Sequence, residues 1–524
     1  MTARSWRRWG GPMGLAAVAA VLLVLLAAWR PLMLPDEGRY VGVAWEMLRS
    51  GRWAVPTLND LPYFHKPPLF YWITGAAMGV GGLHPLAART ASLAAAGLLA
   101  WGLYRFTRRW ADAALAPWVL VALATQPLFF GGAQFANLDM LVAACISLSV
   151  LAFAHAALRL EAGQRAGPWC WVGHVAAALG VLAKGLIGVV LPVLVIGLWL
   201  LARRRLAILR GLASASGTLL FAIIALPWFI DMQLRFDGFF DYFFVVQQAQ
   251  RFAAGGFNNA QPFWFYLPVV AGLALPWTLW AGPLFTRGYW SDAQRAPLRG
   301  LMAAWLGVVF LFFSMPQSKL IGYMLPLSAP LAWLLADAAR THVAQRLTRA
   351  AWPRASALTG AALCAVAGVV LLVAKPSDSR AVAQALVDGR RPGDPVIFVG
   401  QYPFDLPLLA RLREPVTVVE AWSDASVTAR DNWRKELADA SKFAAPAARA
   451  RLAPPESLEP LLCASRVSWV VAAADGPMLP AWLRRLPPLA GAARIAVWRV
   501  DSGELAALSP PPCPRTPNDG PADR

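Results

Sequence analysis

The feature that most constrains this chain is an apolar run that recurs along it. "PMGLAAVAAVLLVLLAAW" is the first, and comparable runs of roughly 17 to 22 residues return as far as residue 374. A helix of about 20 apolar residues crosses the hydrocarbon core of a bilayer. In hydrocarbon the backbone must satisfy its own polar groups, so the fold is a bundle of membrane helices. The composition agrees: of 524 residues, 58% are hydrophobic and 15% charged. Mean hydropathy is +0.49, which excludes a soluble globular chain of this length. The formal charge of +19 follows from Lys and Arg collecting in cytoplasmic loops, so a lipid bilayer and no nucleic acid is the expected partner.

Charge sets the topology. Arg4, Arg7 and Arg8 precede a long apolar core without a cleavage site, which reads as an uncleaved first span with a cytoplasmic N-terminus. Basic clusters follow at Arg105, Arg108 and Arg109, at Arg159 and Arg165, and at Arg203, Arg204, Arg205 and Arg210. Two more lie at Arg287, Arg295 and Arg299, and at Arg340, Arg346, Arg349 and Arg354. With all five cytoplasmic, spans fall near 13–30, 86–105, 112–131, 139–158, 168–184, 187–202, 211–231, 264–285, 299–314, 320–337 and 356–374. That is about eleven spans.

Two external loops result, about 31–85 and 231–263. In the first, 36–51 has helical spacing at Tyr40, Val43, Ala44, Met47 and Leu48. Residues 67–82 are apolar but short for a crossing, so a helix in the membrane interface is expected, with Tyr71 and Trp72 at headgroup depth. The second loop is rich in Phe and Gln, with Gly255 and Gly256 as a flexible point. After Lys375, strand patterns at "PVIFV", "EPVTVVEAW", "SRVSWVVAAAD" and "RIAVWRV" indicate a small external α/β domain over 375–508. The Pro-rich tail 509–524 reads as disordered. The domains are therefore 1–374, 375–508 and a tail. Cys145, Cys170 and Cys364 lie in apolar runs as packing residues, while Cys463 and Cys513 could pair if their region is extracytoplasmic.

Ionisable groups at membrane depth need a partner or a task. On the external side gather Asp36, Glu37 and Lys66 from the first loop, with Arg89, Asp139, Lys184, Arg251, Lys319 and Tyr323 from later segments. The bland alternative is mutual pairing. Glu37 can cap a helix, Lys184 can be a turn residue, and His84, His155 and His174 read as structural.

The first loop, "LPDEGRYVGVAWEMLRSGRWAVPTLNDLPYFHKPPLFYW", resembles that of the ArnT-like glycosyltransferases. These include aminoarabinose transferases that modify lipid A and are related to protein O-mannosyltransferases. "NLDML", "AKGLIGVVLP", "QPFWFYLPV", "FFSMPQSKLIGYMLPL" and "PGDPVIFVGQYPFDLPLL" extend the likeness over most of the chain. The resemblance implies a GT-C fold with eleven to thirteen spans, interfacial helices in the first loop and an α/β periplasmic domain. It implies an enzyme of the bacterial inner membrane that moves a sugar from a polyprenyl-phosphate donor, with inversion, to a glycolipid, glycan or protein. Carried over, Asp36 is the base, with Glu37 and Asp139 beside it. Lys66 and Arg251 face the donor phosphate, with Tyr63, Tyr323, Arg89 and Lys319 as further phosphate or sugar ligands. His65 stands where the family has Glu, and Gln247 or Gln248 where it has His. Those two family positions can hold a divalent metal. His65 remains a candidate ligand, but no cofactor is required. A transporter or flippase of lipid-linked sugars, or a non-catalytic lipid binder, is the alternative. The absence of an internal repeat and the gathering of polar groups on one side favour the enzyme.

Overall fold

The computed structural model describes residues 11–250, 259–344, 351–374, 379–492, 495–506 and Cys513. It divides into two compact units: Met1–Arg30 with His65–Ala374, and Pro31–Phe64 with Lys375–Arg524. The sequence reading assigns Pro31–Phe64 to the transmembrane part; in the structure this segment clusters with the C-terminal residues.

The first unit is helical. Among the described residues six helices are long and apolar enough to cross a membrane, or seven if one bent pair counts as a span. Leu138–Glu161 is central, with 83% of its apolar window buried. Its start is fixed by Asn137, whose side chain accepts from the Asp139 N–H. Pro12–Trp29, Ala215–Arg235 and Trp352–Val373 bury only 28%, 28% and 22% of theirs, as expected of helices that offer an apolar surface to lipid. Trp169–Lys184 and Ile187–Ala202, 16 residues each, touch through glycine. A Cβ on Gly188 would lie 2.2 Å from the Gly180 carbonyl carbon, the close approach that small residues permit between membrane helices.

Several expected spans are realised differently. Region 264–285 is not one helix: Tyr266–Leu273 is followed by two 3₁₀ turns, Trp277–Trp280 and Gly282–Phe285. Pro276 and Pro283 each remove an N–H donor and restrict the residue before them. Region 112–131 is two helices, Ala116–Ala124 and Pro127–Gln134, bent by 60°. Region 320–337 begins as the 3₁₀ turn Ile321–Leu327 before the helix Ser328–Ala344. Leu69–Gly81 forms as a helix, with Tyr71 fully buried in protein.

In the second unit the helix Asp36–Ser50 ends at Gly51, whose φ of +68° suits a residue without Cβ. Gly38 and Gly42 let it approach the chain at Phe404: a Cβ on Gly42 would stand 3.2 Å from the Phe404 carbonyl oxygen. The hairpin β1 (Thr57–Leu58) and β2 (Leu61–Pro62) turns at Asn59 and Asp60, both with positive φ. The Glu46 carboxylate accepts from Thr57 Oγ1 and the N–H groups of Asn59 and Asp60, each within 2.9 Å. Asn59 in turn pairs with the backbone of Val416 in both directions at 2.9 Å.

The sheet has the order β5-β4-β3-β6-β8-β7, with β3 Val396–Val399, β4 Thr417–Val419, β5 Leu452–Ala453, β6 Val467–Ala472, β7 Ala490–Ala492 and β8 Ile495–Asp501. Strands β5, β4, β3 and β6 are parallel; β8 is antiparallel to β6, and β7 to β8. The fully buried β3 reads as a continuous apolar run for that reason. Cys463 and Cys513 form a disulfide beside this core. The other three cysteines are buried. Apart from Cys513, the tail expected from 509 lies outside the described residues.

Candidate active site

In the helical unit a cavity of about 100 Å³ is lined by Lys66, Lys184, Gln247, Gln248, Ser318 and Tyr323, with Phe312 and Phe313 as apolar wall. Lys184 ends its helix at Gly185, whose φ is +91°. The lysine forms an ion pair with Asp139 Oδ1, and its ammonium sits 4.5 Å from the centre of the Tyr323 ring. Gly322 makes room for the carboxylate, since a Cβ there would stand 2.2 Å from Asp139 Oδ2. Phe313 stacks on Tyr323 at 5.2 Å, which fixes the ring. Two cations, two amides and a phenol thus face one space walled by aromatic rings. Such a space suits a phosphate, because cations in a partly dry site bind oxyanions more strongly than in water.

The other expected residues of this unit sort differently. Gln247, in a π-helix over Asp241–Gln250, donates to the Tyr242 hydroxyl at 2.9 Å. His65 is 7% exposed and lays its ring 5.9 Å from that of Tyr242. Among the described residues no group of three or more His, Cys, Asp or Glu is placed to hold a metal. Arg89 is fully buried and donates to the Ala27 and Arg30 carbonyls at 2.6 and 2.7 Å. It caps the first helix and is not among the residues lining the cavity. Lys319 also lies off that wall. Its ammonium donates to the carbonyls of Gln261, at 3.0 Å, and of Pro316, clamping two loops, and burial pushes its pKa down. Arg251 lies outside the described residues.

In the second unit Asp36 starts its helix with a side chain 56% exposed and an ion pair to Arg39. Arg39 bridges onward to Glu436. The Tyr63 hydroxyl donates to the other Glu436 oxygen at 3.1 Å, so Tyr63, 1% exposed, has its donor committed to a carboxylate rather than to a phosphate. Burial raises the Glu436 carboxyl above the usual range, and Arg39 and Tyr63 offset this only in part. Glu37 is fully buried and accepts from the Met33 N–H at 2.8 Å. That bond holds the entry to the helix. Of the acidic pair, Asp36 is the member open to solvent.

The sequence marks Lys184 as a turn or site candidate and Gln248 as standing at a family position; Glu436 is the residue that it passes over. Lys184 offered one signal, a cation between two short apolar runs. Glu436 offered none, being 397 positions from Arg39.

A family model described as dolichyl-phosphate-mannose-protein mannosyltransferase matches residues 65–230. The undecaprenyl phosphate-α-4-amino-4-deoxy-L-arabinose arabinosyl transferase 1 of Sodalis glossinidius is 34% identical over 366 residues, 68% of this chain and 64% of that protein. The corresponding transferase of Aeromonas hydrophila is 35% identical over 59% of this chain and 56% of its own length. The chain thus spans less than two thirds of these relatives. The crystal structure of ArnT from Cupriavidus metallidurans bound to undecaprenyl phosphate superposes with a TM-score of 0.79 at 24% identity. That superposition covers 95% of this chain and 98% of that one. In sequence the chain is therefore similar to these transferases, and in fold it is similar to ArnT.

Proposed function

We propose that the protein is a glycosyltransferase of the bacterial inner membrane, with its N-terminus cytoplasmic and its α/β domain periplasmic. It moves a sugar, in the first instance an aminopentose, from an undecaprenyl-phosphate donor to a lipid A-like glycolipid. The observation that carries this reading is the cavity in which Lys66, Lys184 and Tyr323 converge beside Asp139. It occurs in a chain that shares its fold with a protein crystallised with undecaprenyl phosphate. The disulfide supports a periplasmic α/β domain, since such bonds persist in oxidising compartments.

In this reading an acceptor oxygen attacks the anomeric carbon as the bond from that carbon to the phosphate oxygen breaks, giving inversion. The acceptor proton passes to the Asp36 carboxylate, which Arg39 orients. The departing undecaprenyl phosphate gains a full negative charge, stabilised by Lys66 and Lys184, with Arg251 as a further ligand. Asp139 holds Lys184 in place. The residues His65, Gln247 and Gln248 fit hydrogen bonding to a sugar better than a metal.

The test is sugar transfer by the purified protein, followed by mass spectrometry of donor and acceptor lipids. Asp36→Asn should lower kcat by at least about a hundredfold while leaving donor binding in place. Unimpaired transfer by that variant would remove Asp36 as base. Donor carried across vesicle membranes without being consumed would instead make the protein a transporter.

A further inference from the structure

A second polar space opens at the other end of a helix that walls the first. Ala296–Ser314 is 19 residues long, roughly 28 Å at 1.5 Å per residue. Its C-terminal residues Phe312 and Phe313 line the cavity with Lys184. Its N-terminal Arg299, the preceding Arg295 and Arg340 from Ser328–Ala344 line another, of about 870 Å³. This is where the fourth and fifth basic clusters of the sequence meet.

The three arginines are held by a buried scaffold. Asp337, with no exposed side-chain surface, is bonded to Arg295 and to Arg299 Nε, the latter at 2.7 Å. It also accepts from the Tyr289 hydroxyl at 2.8 Å. Arg340 pairs with Asp112 at 2.6 Å and keeps 38% of its side chain exposed. Asp112 and Asp337 are not on the cavity wall; Asp292 is the one carboxylate there, against three guanidinium groups, with His342 beside them. The wall itself thus presents three guanidinium groups against one carboxylate, with the charges of Asp112 and Asp337 set behind it. Arg340 is also shared with an apolar cavity of about 210 Å³, lined by Trp118, Trp277, Val343, Ala114 and Ala339.

A guanidinium-lined chamber and an apolar one meeting at a single arginine match an amphiphile with an anionic head. We propose that the two cavities form one site for an anionic phospholipid, separate from the site of sugar transfer. Its phosphate lies among Arg295, Arg299 and Arg340, and one acyl chain lies against Trp118 and Trp277. The position at the ends of two candidate spans puts the phosphate at headgroup depth. Guanidinium groups pre-positioned by Asp337 can grip it through paired hydrogen bonds.

The test is native mass spectrometry of the full chain, stripped of lipid in detergent. It is titrated with phosphatidylglycerol or phosphatidylcholine, with inorganic phosphate as competitor. Phosphatidylglycerol should be retained about tenfold more strongly than phosphatidylcholine, the margin of a charge-assisted hydrogen bond. Arg340→Gln should abolish that preference, and Arg340→Lys, which keeps the charge, should retain most of it. Ala114→Trp, at an exposed position facing the apolar chamber, should weaken phosphatidylglycerol without changing its competition by phosphate. Equal retention of the two lipids, or an unchanged preference in Arg340→Gln, would overturn the proposal. So would full displacement by phosphate together with indifference to Ala114→Trp, which would assign the arginines to a soluble anion.

Discussion

Asp139 meets three constraints at once. Its N–H is fixed by Asn137, its Oδ1 by Lys184, and its Oδ2 has room only because residue 322 is glycine. Gly322→Ala should push the carboxylate away from Lys184 and lower transfer by about tenfold or more, with the fold retained; kinetics and a melting curve check both. Lys184→Gln leaves Asp139 without its cation. Each side chain of the pair is about 15% exposed or less, so the expected cost is about 2 kcal/mol, below that of a fully buried pair. Thermal unfolding in detergent reads it. These residues show where the sequence was legible and where it was not. Asp139 stands out as an acid beginning an apolar run. Lys184 looks the same whether it serves a turn or a site, and only the folded position of Tyr323 decides. Arg89 and Tyr63 show the converse: the resemblance suggests ligands, and the structure shows each buried with a protein partner, which no local pattern announces.

Elements were legible where length and hydropathy suffice, as in Pro12–Trp29, Leu138–Glu161 and Trp352–Ala374. The short β5 and β7 carry too few residues for an alternating pattern, and neither was expected. The broken spans show the limit of a hydropathy window, which weighs Pro268, Pro276 and Pro283 only as mildly polar residues. Their effect is on hydrogen bonding, and it converts one expected crossing into a helix and two tight turns. Packing between elements is still less visible. The Gly180–Gly188 contact brings two backbones together just ahead of Lys184 and so sets its height. Gly188→Val should force Trp169–Lys184 and Ile187–Ala202 apart, at a cost of about 1–3 kcal/mol. It should also lower transfer even where protein is recovered; yield, melting temperature and activity separate the two effects.

For the molecule as a whole, the informative feature is the company kept by Pro31–Phe64. The segment that bears Asp36 packs within the same unit as the C-terminal sheet, through Asn59, Arg39 and Asp60. Sequence could mark both pieces, but nothing in either announces a pairing across hundreds of residues. Removing residues 375–524 should therefore leave the first span intact yet make 31–64 rapidly cleaved by protease, and should abolish transfer. Unchanged protection of 31–64 would refute the dependence. The same pairing has a consequence for biosynthesis. Arg39 leaves the ribosome 397 residues ahead of Glu436, roughly 20 to 80 seconds at bacterial elongation rates. Throughout that interval the nascent chain carries its proposed base on a segment that lacks its partner Glu436. Under the proposed function, a stalled or prematurely terminated copy is then expected to transfer no sugar.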